Sequence, residues 1–189
     1  MTPELIAEEK PDALLIGIGS QPIILEIPGA DGPNVFESRD VLSGTELPAG
    51  NVVVIGGGLV GMEVAEHLAQ QGRHITVVEM KDAILTEMGM LRKIGTQMSI
   101  AREDITVLLN TSCKRIEAGS VVVEKEGGEQ ALEADAVVLA IGSRPRDSEA
   151  LQEACRQRNI PFYVYGDALA APWLALNAIH EAYDAALKI

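Results

Sequence analysis

The chain has 189 residues, 47% hydrophobic and 23% charged, a composition that builds a folded core and argues against a disordered chain. Twenty-eight acidic against fifteen basic residues leave a net charge of −13. Nucleic acid and anionic membrane surfaces need clustered Lys and Arg, so neither is expected as a partner. No apolar run approaches the ~18 residues of a bilayer span, and the acidic start MTPELIAEEKPD is unlike a secretory signal. Cys113 and Cys155 match no metal-ligand or CxxC spacing. They are expected to be reduced thiols in a cytoplasmic protein, with no metal site among these residues.

In chain order, Ala13-Leu-Leu-Ile-Gly-Ile-Gly-Ser is the first apolar run and reads as a buried strand ending at Gln21-Pro22. The Pro- and Gly-rich passage from Ile27 to Gly50 reads as a linker with one short helix near Ser38–Leu42. Asn51-Val-Val-Val-Ile is a second buried strand, followed at once by Gly56-Gly-Gly-Leu-Val-Gly61. A helix over Leu59–Gln71 follows, with Val60, Val64 and Leu68 on its expected apolar face and Gly72 just past its end. Ile75-Thr-Val-Val is the next strand, closed by Glu79. Residues Ala83–Ala101 are helix-compatible, and Ile105–Leu109 reads as another strand. From Cys113 to Leu132, short β-rich segments alternate with turn signals such as Glu126-Gly-Gly-Glu129, the pattern of a small antiparallel excursion. Ala136–Ile141 is a buried strand, Phe162–Tyr165 with Gly166-Asp167 a strand and turn, and Ala175–Lys188 a closing helix.

One segment is echoed. DALLIGIGSQP (Asp12–Pro22) and DAVVLAIGSRP (Asp135–Pro145) share six of eleven residues at a constant offset of 123. A common Asp-Ala entry and Ile-Gly-Ser-x-Pro exit point to two related, interleaved structural units.

The glycines at 56, 58 and 61 satisfy GxGxxG in the context that gives the motif meaning: strand before, helix after, acid at the end of the next strand. Gly56 allows the tight turn, Gly58 lets the backbone approach a pyrophosphate, and Gly61 lets the helix pack closely on the sheet. The pyrophosphate would lie on the open amides of Gly57, Leu59 and Val60 at the positive end of the helix dipole. Glu79 lies 23 residues after Gly56, where a carboxylate binds the ribose hydroxyls and repels a 2′-phosphate. NAD(H) is therefore expected over NADP(H), with Arg73 and Lys81 as the nearby cations that would oppose this choice. Glu63, one turn into the helix, serves equally as a dipole partner or as a cofactor contact. His67, His74 and His180 form no catalytic or metal pattern, and no catalytic residue is singled out. Cofactors themselves carry hydride chemistry, so none is required.

These residues resemble the flavoproteins with two dinucleotide-binding domains, the pyridine nucleotide-disulfide oxidoreductase-like group. Ile18-Gly-Ser-x-Pro resembles the exit of the first FAD segment, and GGGLVGME (Gly56–Glu63) the nicotinamide-cofactor motif. Ile141-Gly-Ser-Arg-Pro resembles the exit of the inserted domain, and Tyr165-Gly-Asp the returning FAD segment. The resemblance implies an α/β fold: a Rossmann-like NAD(P)-binding domain at 48–146, with a parallel sheet and the antiparallel excursion. Residues 1–47 and 147–189 would then be parts of a FAD-binding domain. It also implies that Glu63 lies near the nicotinamide, and that Gly142, Gly166 and Asp167 face FAD, with Asp167 at its ribityl-phosphate region.

Thr2-Pro-Glu-Leu, Pro11-Asp and Ile27-Pro-Gly are most similar to one branch, the 2-enoate and 2,4-dienoyl-CoA reductases. Full enzymes of that branch carry an N-terminal barrel with FMN, a 4Fe–4S cluster and FAD, and pass electrons from NAD(P)H to an activated C=C bond. The FAD domain's own glycine motif, the barrel and the cluster cysteines are not among these 189 residues. The chain is thus expected to be incomplete and inactive by itself, as a fragment or a stand-alone remnant. Alternatives are an NADH oxidase, ferredoxin reductase or disulfide reductase of the same superfamily, or a non-catalytic NAD-binding redox sensor. A methyltransferase shares the glycine-and-acid spacing but not the repeated IGSxP.

Overall fold

The computed structural model describes residues 1–46, 48–86, 88–171 and 174–189. Leu47, at the expected edge of the first flavin segment, lies outside the described residues, as do Glu87 within the expected helix over 83–101 and Pro172 and Trp173. In chain order the first elements are α1 (Pro3–Glu9), β1 (Leu14–Ile16), β2 (Ser20–Pro22), β3 (Val35–Glu37), α2 (Ser38–Leu42), β4 (Asn51–Ile55) and α3 (Leu59–Ala69). Next come β5 (His74–Val78), α4 (Met90–Arg102), β6 (Ile105–Leu108), β7 (Thr111–Glu117), β8 (Ser120–Lys125) and β9 (Gly128–Glu133). The chain ends with β10 (Ala136–Leu139), β11 (Ser143–Pro145), α5 (Glu149–Arg156), β12 (Phe162–Val164), a 3-10 turn (Gly166–Ala168) and α6 (Ala175–Ala186).

Two compact units result, Ile24–Ile141 and the pair Met1–Ile23 with Gly142–Ile189. The first is built on a five-stranded parallel sheet in the order β3-β10-β4-β5-β6. Its inner strands β10, β4 and β5 are dominated by Val and Ile because both faces are covered. Val52, Val54, Ile75, Val77 and Val138 join Met62, Val64, Ala65 and Leu68 of α3 in one core. Val53, Ile55, Val78 and Val137 point the other way and pack with Ile116, Val121 and Val123 of the antiparallel sheet β7-β8-β9. Alternation along each strand thus feeds two layers. The β8–β9 hairpin turns on Glu126 and Gly127, both left-handed (φ 52 and 78). Two such residues between paired strands make the turn whose twist matches the strands it joins.

Four expectations change here. The linker contains β3, which pairs with β10 at the sheet edge through Val35↔Val137 and Phe36↔Val138. Three residues are too few to show a period, so only the pairing defines that strand. Val60 is 39% exposed, and the buried face of α3 is instead Gly61, Met62, Val64, Ala65, Leu68 and Ala69. Helix α4 starts at Met90, because Leu85 is left-handed (φ 52) and Gly89 is extended, which breaks any helix begun at Ala83. The first apolar run splits into β1 and β2 around Gly19, whose φ is +73.

The second unit is smaller. β1 pairs parallel with β12, and Leu14 and Ile16 share a core with Ile6, Leu151, Ala154 and Cys155. Helix α1 begins on Thr2, whose hydroxyl accepts the Leu5 N–H at 3.3 Å, with Pro3 in the first turn. Neither α1 nor α5 is anticipated above. The spacing Leu151, Ala154, Cys155 is the signal that would have found α5.

Candidate functional site: a glycine turn and its acid

Chain order places β4 at a reversal point: the path leaves it for β5 on one side and returns through β10 on the other. In open α/β sheets, ligands bind beyond the carboxyl ends of the strands at such a point. Residues 56–61 occupy that position. Gly56 has φ +111, and a Cβ there would meet the Ala140 carbonyl oxygen at 2.5 Å. A Cβ on Gly61 would strike the Gly56 carbonyl oxygen, so α3 approaches the turn as closely as it does only through glycine. Gly58 differs. Its backbone is ordinary (φ −73, ψ −173), and a Cβ there meets nothing within 4 Å. Neither sterics nor strain within the chain asks for glycine at 58. The space is open.

Gly58 is the N-cap of α3, and no side chain caps it. The first-turn amides of a helix have no partner within the helix, so those of Leu59, Val60 and Gly61 are donors for an anion. Leu59 packs against the core while Val60 is exposed. Glu63 is half-buried, and its carboxylate has no hydrogen bond or ion pair among the described residues.

Glu79 stands immediately after β5, beside the turn. Its Oε2 accepts the Gly57 N–H at 2.6 Å and its Oε1 accepts the Lys81 N–H at 2.8 Å. The Gly57 amide, expected to be open to a pyrophosphate, is instead occupied by Glu79, and nothing in a run of three glycines marks this bond. Arg73 lies before β5, at the opposite end from Glu79, and its Nε donates to the Pro48 carbonyl at 3.1 Å. Six residues of strand at ~3.3 Å each put roughly 20 Å between them, so Arg73 is no counterweight to Glu79. Of the two cations only Lys81 is at this end. His67 bonds Gln71 at 2.9 Å and His74 pairs with Asp104 at 2.7 Å, both at the surface. Among the described residues, no group of three or more His, Cys, Asp or Glu could hold a metal ion, and no helix is long and apolar enough to cross a membrane.

The smaller unit holds the other candidates. The two echoed exits pair with each other: Ser20↔Pro145, Gln21↔Arg144 and Pro22↔Ser143 run antiparallel. The Ile23 N–H donates to Gly142 O and the Arg146 N–H to Gly19 O, each at 3.1 Å, so the two bonds exchange echo-equivalent positions, Gly19 with Gly142 and Ile23 with Arg146. Gly19 and Gly142 are both left-handed, at φ +73 and +103. The Ser20 hydroxyl, 7% exposed, donates to Asp167 Oδ2 at 2.7 Å. The Gly166 N–H donates to Glu181 Oε2 of α6 at 2.7 Å. A Cβ on Gly166 would meet the Ala178 Cβ at 2.9 Å. Ser20 and Glu181 therefore hold the Gly166-Asp167 turn from two sides. Ser20 was legible through its echo partner Ser143, whereas Glu181 carried no local signal.

Both thiols are shielded. Burial pushes Cys113 up to about 11 and raises Cys155 as well, so neither is a ready nucleophile.

A parallel sheet with a glycine turn at its reversal point, an antiparallel layer on one face and a second small unit define a two-nucleotide α/β flavoprotein architecture. The chain belongs to the pyridine nucleotide-disulphide oxidoreductase family, which matches residues 7–169. It is 37% identical over 185 residues to a bilirubin reductase of Mediterraneibacter gnavus, covering 97% of this chain and 28% of that protein. Similarity to an NADH oxidase of Thermoanaerobacter brockii is 34% over 191 residues, covering 98% and 29%. A solved complex of 2-naphthoyl-CoA reductase with 2-naphthoyl-CoA superposes with a TM-score of 0.87 at 29% identity, over 100% of this chain and 28% of that one. The chain therefore spans less than a third of the length of these relatives.

Proposed function

We propose that residues 24–141 bind NAD(H), in preference to NADP(H), for hydride transfer to FAD in a flavin-dependent oxidoreductase. The observation that carries this is the open space at Gly58, beside an uncapped helix start and a fixed carboxylate at Glu79. The amides of Leu59, Val60 and Gly61 hold the pyrophosphate, and Gly56 and Gly61 keep that cradle in shape. Glu79 accepts the ribose hydroxyls and repels a 2′-phosphate, since like charges in contact cost several kcal/mol. Glu63, without a partner among the described residues, is the acid toward the nicotinamide. In the smaller unit, Gly142, Gly166 and Asp167 face the flavin, with Ser20 and Glu181 orienting the turn. When bound, FAD supplies the acceptor for the hydride.

In the complete protein, electrons then go by way of a 4Fe–4S cluster and FMN to an activated C=C bond, in the manner of enoate and dienoyl-CoA reductases. Likeness to a reductase of an aryl-CoA thioester supports this reading. A second reading, an NADH oxidase, is favoured by the relative of that name. The remainder of the flavin domain and an N-terminal barrel complete the enzyme under the first reading.

Titration of the purified chain with NADH, followed by nicotinamide fluorescence beside an NADPH control, tests the binding step. Saturation that favours NADH is the expected result. A folded chain that binds neither would remove the assignment.

A further inference from the structure

Gly57 is the one residue of the triplet for which GxGxxG asks nothing, yet it is closely confined. It is buried, its N–H donates to Glu79 Oε2 at 2.6 Å, and its carbonyl accepts the Leu85 N–H at 3.0 Å. A Cβ at this position would lie 2.7 Å from Ile84 Cγ2 and 3.1 Å from both Cβ and Oε2 of Glu79. Ile84 cannot simply swing away, because it is β-branched and packs against the core beneath α3. Leu85, 2% exposed, is held left-handed at φ 52, a conformation a bulky residue adopts only when its surroundings impose it. Its carbonyl in turn accepts the Met88 N–H at 3.0 Å, so the segment after β5 is folded back onto the turn.

We infer that Gly57, walled in by Ile84, is a positioning residue that sets the NADH-over-NADPH preference by holding the Glu79 carboxylate in place. The inference rests on the reading that Glu79 faces the adenosine ribose, and it names what keeps it there. A carboxylate on a flexible stem otherwise loses side-chain entropy each time it is fixed. Here the cost is met in advance by two charge-assisted bonds from rigid backbone, at Gly57 and Lys81. A methyl group at 57 forces Oε2 off the Gly57 amide. The carboxylate is then free to turn from the ribose and to yield to a 2′-phosphate.

The test measures dissociation constants of NADH and NADPH for the parent chain, Gly57→Ala, Ile84→Ala, the double variant Gly57→Ala/Ile84→Ala, and Glu79→Gln. The ratio of the two constants is the readout, because a structural defect weakens both cofactors together and leaves the ratio alone. Glu79→Gln should abolish the parent's preference. Gly57→Ala should shrink it about tenfold, the size of one lost hydrogen bond to a charged group. Ile84→Ala should keep it, and the double variant should recover most of it, since removing Cγ2 makes room for the new methyl. If Glu79→Gln collapses the ratio while Gly57→Ala leaves it unchanged, the positioning role is overturned and the reading of Glu79 stands. If Glu79→Gln leaves the ratio unchanged, or the folded parent binds neither cofactor, both fall. Should Gly57→Ala fail to fold, the double variant decides: a parent-like ratio supports the inference, and a collapsed ratio overturns it.

Discussion

At the scale of single residues, the three glycines of the motif are required for three different reasons. Gly56 and Gly61 are demanded by the chain itself, one by a left-handed backbone against Ala140 and the other by the approach of α3 to the Gly56 carbonyl. Gly58 is demanded by nothing in the chain, so its substitution separates binding from folding. Gly58→Val should leave the circular dichroism spectrum and melting temperature close to the parent's. NADH affinity should fall by more than about tenfold, because a side chain fills the space a pyrophosphate needs. Gly61→Ala should behave oppositely and lower the denaturation midpoint, the overpacking being worth about 1–3 kcal/mol. Cys113 supplies a pH-dependent check. Its thiol is held neutral by burial, up to about 11 from an ordinary 9.0, so alkylation should be slow at pH 8 and accelerate only toward pH 11. A raised pKa in the folded state favours folding below the unfolded value. That contribution should therefore be lost as pH rises from about 9 to 11, visible as a falling melting temperature that Cys113→Ala removes.

At the scale of elements, α3 shows how a helix serves two masters. Its far turns bury Val64, Ala65 and Leu68 against the sheet, while its first turn leaves Val60 exposed at the candidate site. Leu68→Ala should cost about 2–5 kcal/mol in chemical denaturation, as for other fully buried leucines. Val60→Ala should change stability by no more than about 0.5 kcal/mol. An i, i+4 run from 60 to 68 looks uniform in the sequence, but the helix start lifts its first member clear of the sheet. The helix α4 teaches the same lesson: residues 83–86 have helical composition, and contact with Gly57 gives them another shape. β3 is short enough that packing, rather than propensity, makes it what it is, whereas α5 is built from good helix formers with one apolar face.

At the scale of the molecule, the chain divides where the echo exits, at Ile23/Ile24 and Ile141/Gly142. The unit from Ile24 to Ile141 has two cores of its own, one on each face of its sheet, whereas the other unit has a single small one. Residues 24–141 expressed alone should therefore fold cooperatively and bind NADH within about threefold of the full chain, a difference near 0.6 kcal/mol. Loss of binding by the folded excised unit would overturn the assignment of the site to residues 24–141. The α6 helix leaves Leu176, Ile179 and Tyr183 exposed, each above half of its accessible area, in keeping with a chain that spans under a third of its relatives.

Four of the five strands of the central sheet, the glycine turn, the acid after β5 and the antiparallel excursion were legible in the residues themselves. Each depends on interactions within a few neighbours: an apolar run, a required φ, a turn pair. The family resemblance rested on those same local features. Tertiary structure alone decided that β3 joins the sheet, that Arg73 sits at the far end of β5, and that the two echoed exits pair with each other. It also decided that Glu79 is gripped by the Gly57 amide and that Ser20 and Glu181 hold the Gly166-Asp167 turn. These contacts join residues 15 to 147 positions apart, and a local pattern carries no information about which distant partner the fold will deliver.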